Sequence, residues 1–161
     1  MPANVILAKS RAGSAQELVK RLQEEAERLG VTAQTFDPEA IVSARQLLVA
    51  GYSAKKAFGE ERATANTLAN ELLLHAAATR QVGEAIKRVG VKKAPEFVLF
   101  VEPGEKTGEL LKSIGAKEAK GKIGGREEEI AKLYGVEKEL LRDYPLEGLV
   151  LEKMSVAMLG K

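Results

Sequence analysis

The chain has 161 residues, 45% hydrophobic and 30% charged, a balance that sustains one globular domain and argues against disorder. It has no cysteine, one histidine (His75) and two aspartates (Asp37 and Asp143), which excludes disulfides, a thiol nucleophile, a cysteine zinc site and most catalytic or metal-binding constellations. The net charge of +2 is unevenly spread: residues 41–95 carry nine basic against four acidic side chains, an excess suited to phosphate.

Residues 4–8 predict a short opening strand. Ser14 and Glu17 have capping-box spacing, and Leu18, Leu22, Ala26 and Leu29 then recur at helical intervals up to Gly30. The β-branched alternation of 31–36 predicts a second strand, closed by Asp37-Pro38. Ser43 and Gln46 suggest another capping box, opening a helix whose apolar face runs from Leu47 to Phe58. Ala65, Leu68, Ala69, Leu72, Leu73 and Ala76 form the clearest helical stripe. Val82, Ala85, Ile86 and Val89 form a shorter one, ending at Gly90.

Phe97–Val101, an unbroken apolar run between Pro95 and Pro103, predicts a buried central strand. Helical stretches follow near 106–113, 126–134 and 137–143, ended by Gly115, Gly135 and Tyr144-Pro145. Residues 150–159 suggest a closing strand that returns to the sheet. The fold expected is one α+β domain over residues 1–161: a small, mostly antiparallel sheet of about four strands packed with several helices. No apolar stretch reaches membrane-spanning length, and the opening residues lack a basic segment and cleavage site, so a cytoplasmic protein is expected. Abundant Lys, Glu and Arg without cysteine give a thermophile-like composition.

Gly104-Glu-Lys-Thr-Gly108 follows a strand as a phosphate loop would, but it lacks the glycine spacing that wraps phosphates. Gly115–Gly121 fails similarly, with Ile123 where a magnesium-binding hydroxyl belongs, and the nearby Lys117, Lys120 and Lys122 are diluted by glutamates. His75 has Glu71 four residues earlier to orient it, yet no nucleophile is signalled, which points to a packing role.

The basic middle block is more informative. Arg62, Asn66 and Asn70 are expected on one edge of the main helix, away from its leucines. Arg80, Gln81, Glu84, Lys87 and Arg88 are expected on one face of the next helix, opposite Val82 and Ile86. A turn near 77–80 would let the two polar faces converge, with Lys55 and Lys56 adding charge. Guanidinium, amide and ammonium groups suit phosphates and base edges, so Lys55, Lys56, Arg62, Asn66, Asn70, Arg80, Gln81, Lys87 and Arg88 are the candidate RNA-binding residues. For Arg80, a structural role in capping carbonyls at a helix end competes with RNA contact. The predicted closing strand offers Met154, Val156, Met158 and Leu159 as a candidate surface for a protein partner.

The stretch Asn66–Val91 resembles the signature of the CGI-type subunit of the KEOPS tRNA-modification complex: Glu71, Arg80, Gln81, Ala85, Ile86, Gly90 and Val91 fit it. Ala78 stands where that family commonly has glycine, and Val82 where it has isoleucine. The resemblance implies a non-catalytic accessory subunit without a cofactor. Such a subunit binds and stimulates the kinase-like ATPase subunit, and in archaea it holds tRNA at its CCA end. Through that partner it serves the synthase subunit, which installs threonylcarbamoyladenosine beside the anticodon. The competing expectation is a small enzyme or nucleotide-binding protein using His75 and Glu71 or the Gly104–Gly108 turn.

Overall fold

The computed structural model describes residues 2–93 and 95–159. In chain order the elements are β1 (Asn4–Ser10), α1 (Ala15–Leu29), β2 (Thr32–Phe36), α2 (Ala44–Gly59), α3 (Leu68–Ala77), α4 (Val82–Val89), β3 (Glu96–Glu102), α5 (Thr107–Ser113), β4 (Ala116–Glu118), α6 (Glu127–Tyr134) and α7 (Leu146–Ala157). Short 3₁₀ segments cover Gly104–Lys106 and Lys138–Arg142. The class is α+β, with a four-stranded antiparallel sheet in the order β2-β3-β1-β4. The chain divides into two compact units, one of residues 1–38 and 91–123 and the other of 39–90 and 124–161.

The first unit holds the sheet. β3 pairs with β1 (Leu99 opposite Ile6) and with β2 (Leu99 opposite Thr35), so it is a central strand, as its unbroken apolar run predicts. Phe97, Leu99 and Val101 join Ile6, Ala8 and Ala33 in one core with Leu18, Leu22 and Ala26 of α1, Leu110 and Leu111 of α5, and Ile114 just after it. Val98 and Phe100, alternating with them, are buried as well. Ser14 caps α1 by accepting the Glu17 N–H at 3.1 Å, and Glu17 reaches back to the Gly13 N–H rather than that of Ser14. The Gly104–Gly108 stretch is a 3₁₀ turn leading into α5 whose donors are used by the fold: the Gly104 N–H donates to Pro2, the Lys106 N–H to Pro103, and the Thr107 hydroxyl to Gly104. Those groups are committed to the fold and not aimed at a phosphate.

Two sheet expectations change. The fourth strand is the three-residue β4 beside β1, and residues 146–157 form α7, so no closing strand exists there. Leu146, Val150 and Met154, the buried residues of α7, recur every fourth position. That is a helical stripe, and it outweighs the β-branched content of the segment.

The second unit is helical, with α2 packed on α3, α3 on α4, and α7 against α2, α3 and α6. α3 begins at Leu68 behind an N-cap at Thr67, whose hydroxyl accepts the Asn70 N–H. It ends at Ala78, which adopts a left-handed conformation (φ +56°). A glycine takes that conformation freely, whereas alanine is strained there by about 1–2 kcal/mol. On α4, Ala85 and Val89 are buried while Val82 and Ile86 are exposed, so the expected four-residue apolar stripe splits between core and surface. Ser43 makes no side-chain cap and instead donates to Glu147 at 2.7 Å, so the expected Ser43–Gln46 capping box does not form. Within this unit Gly125 lies so close to the 39–42 segment that a Cβ would collide with the Glu39 carbonyl.

Ala78→Gly is expected to raise unfolding free energy by about 0.5–1 kcal/mol, strain relief less the added freedom of the unfolded chain. Gly125→Ala is expected to lower it by about 1–3 kcal/mol or more, because backbone must move. Urea unfolding curves measure both.

Candidate functional site: a basic-rimmed groove in the helical unit

The helical unit is organised by one buried amide. Gln46, with no exposed surface, accepts the Val42 N–H at 2.7 Å and donates to the Ala76 carbonyl at 2.9 Å and the Tyr134 hydroxyl at 2.7 Å. The Tyr134 hydroxyl in turn donates to the Ala40 carbonyl at 2.8 Å. Burial pushes the Tyr134 phenol well above its ordinary value of 10.0, against the lowering pull of Gln46 and of the Arg88 guanidinium.

α7 packs against α2, and a groove of about 240 Å³ lies along them. Val49, Ser53 and Lys56 line one wall, at helical spacing on α2. Leu151, Met154, Ser155 and Met158 line the other, again at helical spacing. Arg62, from the loop after α2, and His75, 5% exposed on α3, complete the lining. Four apolar side chains (Val49, Leu151, Met154 and Met158), two hydroxyls and two cationic groups make a lining that suits a phosphate-bearing ligand.

The expected convergence of two polar helix faces does not occur as drawn. Arg62 and Asn66 precede α3, in the 60–67 loop, and Asn70 lies half-buried in its first turn. Lys55, Lys56, Arg62, Asn66, Gln81 and Lys87 are exposed. Arg62 holds Glu60 at 2.7 Å. Of the candidates, Lys56 and Arg62 are brought together at the groove.

Arg80 and Arg88 turn inward. Arg80 donates from Nε to the Ala157 carbonyl at 3.0 Å and from Nη2 to the Leu159 carbonyl, capping the end of α7. Arg88 donates to the Ala77 carbonyl at 2.6 Å and lies 5.9 Å above the Tyr134 ring centroid. The capping role considered for Arg80 is real, but its target is a different helix, and Arg88 caps the end of α3.

The four apolar partner candidates separate by helical phase. Met154 is buried and Met158 half-buried, both at the groove, whereas Val156 and Leu159 are 56% and 70% exposed. Sequence reading did not single out Leu48, Tyr52, Val82 and Ile86 as a surface, yet all four are exposed, in i, i+4 pairs on α2 and α4. Their spacing was visible in the sequence, but helical spacing does not tell a core stripe from an exposed one.

Glu71 and His75 meet as their spacing predicts, Oε2 to Nε2 at 2.9 Å, both buried. Glu71 Oε1 accepts the Thr64 and Ala65 N–H groups, each at 2.9 Å. That carboxylate is engaged in holding backbone. Among the described residues no group of three or more His, Asp or Glu is placed to hold a metal ion. Among them, too, no helix is long and apolar enough to cross a membrane.

An α+β chain with a helical unit of exposed apolar pairs and a cationic groove has the character of a binding protein. Residues 12–157 match the family described as Kinase binding protein CGI-121, and the chain belongs to that family. No curated protein matches it in sequence.

Tyr134→Phe is expected to cost about 1–2 kcal/mol at neutral pH by leaving the Ala40 carbonyl unpaired. Because the folded-state value is raised, the tyrosine's contribution is complete below the unfolded value of 10.0 and is lost as pH climbs through that value toward the folded one. The variant therefore loses less stability above pH 10 than the parent does, a comparison made by thermal melts across the alkaline range.

Proposed function

We propose that this chain is a non-catalytic accessory subunit of the KEOPS complex, binding and stimulating the kinase-like ATPase subunit and recruiting tRNA through its single-stranded CCA end. Kinase binding is the property of its family. The tRNA role rests on one observation, the groove that Lys56 and Arg62 line together with apolar side chains. A nucleotide at a free 3′ end presents what that groove suits: an accessible phosphate. In this reading Lys55, Asn66, Asn70, Gln81 and Lys87 serve as flanking contacts, while Arg80 and Arg88 shape the surface from within.

The kinase-facing surface is the set of exposed apolar side chains on α4 and the end of α7, namely Val82, Ile86, Val156 and Leu159; Arg80, just ahead of α4, bonds the Ala157 and Leu159 carbonyls. Exposed apolar side chains of this kind are candidate anchors for a protein partner. Met154 and Met158 support the groove instead. That one family description runs through both compact units supports a single functional domain. In this reading it acts in the cytoplasm and reaches the synthase subunit through the kinase-like one.

Two measurements test the halves separately. Lys56→Glu should weaken binding of full-length tRNA and flatten the salt dependence, by about 0.7 in slope for each lost phosphate contact. It should leave affinity for tRNA lacking CCA unchanged. Equal weakening for both RNAs would place the CCA end elsewhere. Ile86→Glu and Leu159→Glu should reduce affinity for the kinase-like subunit by about tenfold or more each, since burying a charge there costs over 1.4 kcal/mol. Co-purification undiminished in both variants would move the interface.

A further inference from the structure

Glu71 is a charged residue where the packing calls for an apolar one. It is 1% exposed, next to Leu72, in the first turn of α3. A carboxylate at such a site costs several kcal/mol unless donors surround it. Here the donors come from two directions. The Thr64 and Ala65 N–H groups bond Oε1, and His75 meets Oε2, so with Glu71 as the carboxylate, Nε2 of His75 carries the hydrogen.

The two backbone donors belong to the 60–67 loop, which has no repeating structure. The loop leaves α2 with Glu61 in a left-handed conformation (φ +57°), and the Arg62 N–H returns to the Ala57 carbonyl at 2.8 Å. Arg62 thus stands between two anchors, one to α2 just before it and one to Glu71 just after it. His75, the third group on the same carboxylate, lines the same groove as Arg62.

We propose that Glu71 is a positioning residue for the groove: one buried carboxylate fixes both the loop that carries Arg62 and the imidazole of His75. It touches no ligand and acts through Arg62. The proposal rests on the reading of this groove as the RNA-binding site. It explains why a glutamate is buried in α3, and it assigns the Glu71–His75 pair a task other than proton transfer.

The test is a double-mutant cycle in the full chain, read as affinity for full-length tRNA, with amide exchange at Thr64 and Ala65 as a second readout. Arg62→Ala should weaken binding about tenfold, the worth of a charge-assisted contact. Glu71→Ala should weaken it comparably, and the double variant should be no weaker than Arg62→Ala alone. The Thr64 and Ala65 amides should exchange at least about tenfold faster in Glu71→Ala. Glu71→Gln keeps an oxygen for both N–H groups and should restore the affinity and the protection. Should Glu71→Ala fail to fold, Glu71→Asp keeps the charge but is too short to serve loop and imidazole together, and it should show the same non-additive loss. Additive losses in the cycle, or unchanged exchange at Thr64 and Ala65, overturn the positioning role while leaving the groove reading intact. If Arg62→Ala binds tRNA as the parent does, the groove reading falls and the proposal with it.

Discussion

The helical unit depends on the amide of Gln46 finding partners on every side. A primary amide buried without them would cost several kcal/mol, so its burial is tolerable only because Val42, Ala76 and Tyr134 are all in place. Each belongs to a different stretch of chain, and Tyr134 extends the network to Ala40. Polar partners of this kind have direction as well as energy. An apolar residue at position 46 would pack in several ways, whereas the amide fixes where the end of α3, the end of α6 and the 39–42 segment lie around α2.

The arginines of the basic block do two kinds of work. Arg62 faces outward on a loop, held to Glu60, a surface pair that solvent screens. Arg80 and Arg88 spend their donors on carbonyls at the ends of α7 and α3, groups that no helix can satisfy internally. A guanidinium suits that role because its donors are planar and fixed, where lysine offers one mobile point of charge. The positive charge excess of the block therefore overstates the charge it can present to RNA.

What sequence could reveal followed the range of the forces involved. β1, β2, β3, α1 and the core of α3 were legible because periodicity, caps and glycine stops act within a few residues. β4 was not: it has three residues, two of them exposed Lys117 and Glu118, and its place beside β1 is set by the sheet. The valines and methionines of 150–159 suit the strand expected there, while the spacing of Leu146, Val150 and Met154 marks a helix. Of the site, Lys56 and Arg62 were legible as charge. The groove wall was not, since Met154 and Met158 face Val49 and Ser53 only once α7 is a helix. The carbonyl targets of Arg80 lie 77 and 79 residues downstream, beyond any local pattern.

The strand order has a bearing on how the chain is made. β1 and β2 precede α2, yet they pair with β3 rather than with each other. During synthesis both early strands therefore wait, without a strand partner, until Glu96–Glu102 has left the ribosome. By then α2, α3 and α4 have emerged between them, elements that can form through local contacts while the sheet cannot. Helices first and sheet last is the order this connectivity favours, and a nascent chain halted before β3 exposes two unpaired strand edges to whatever else is nearby.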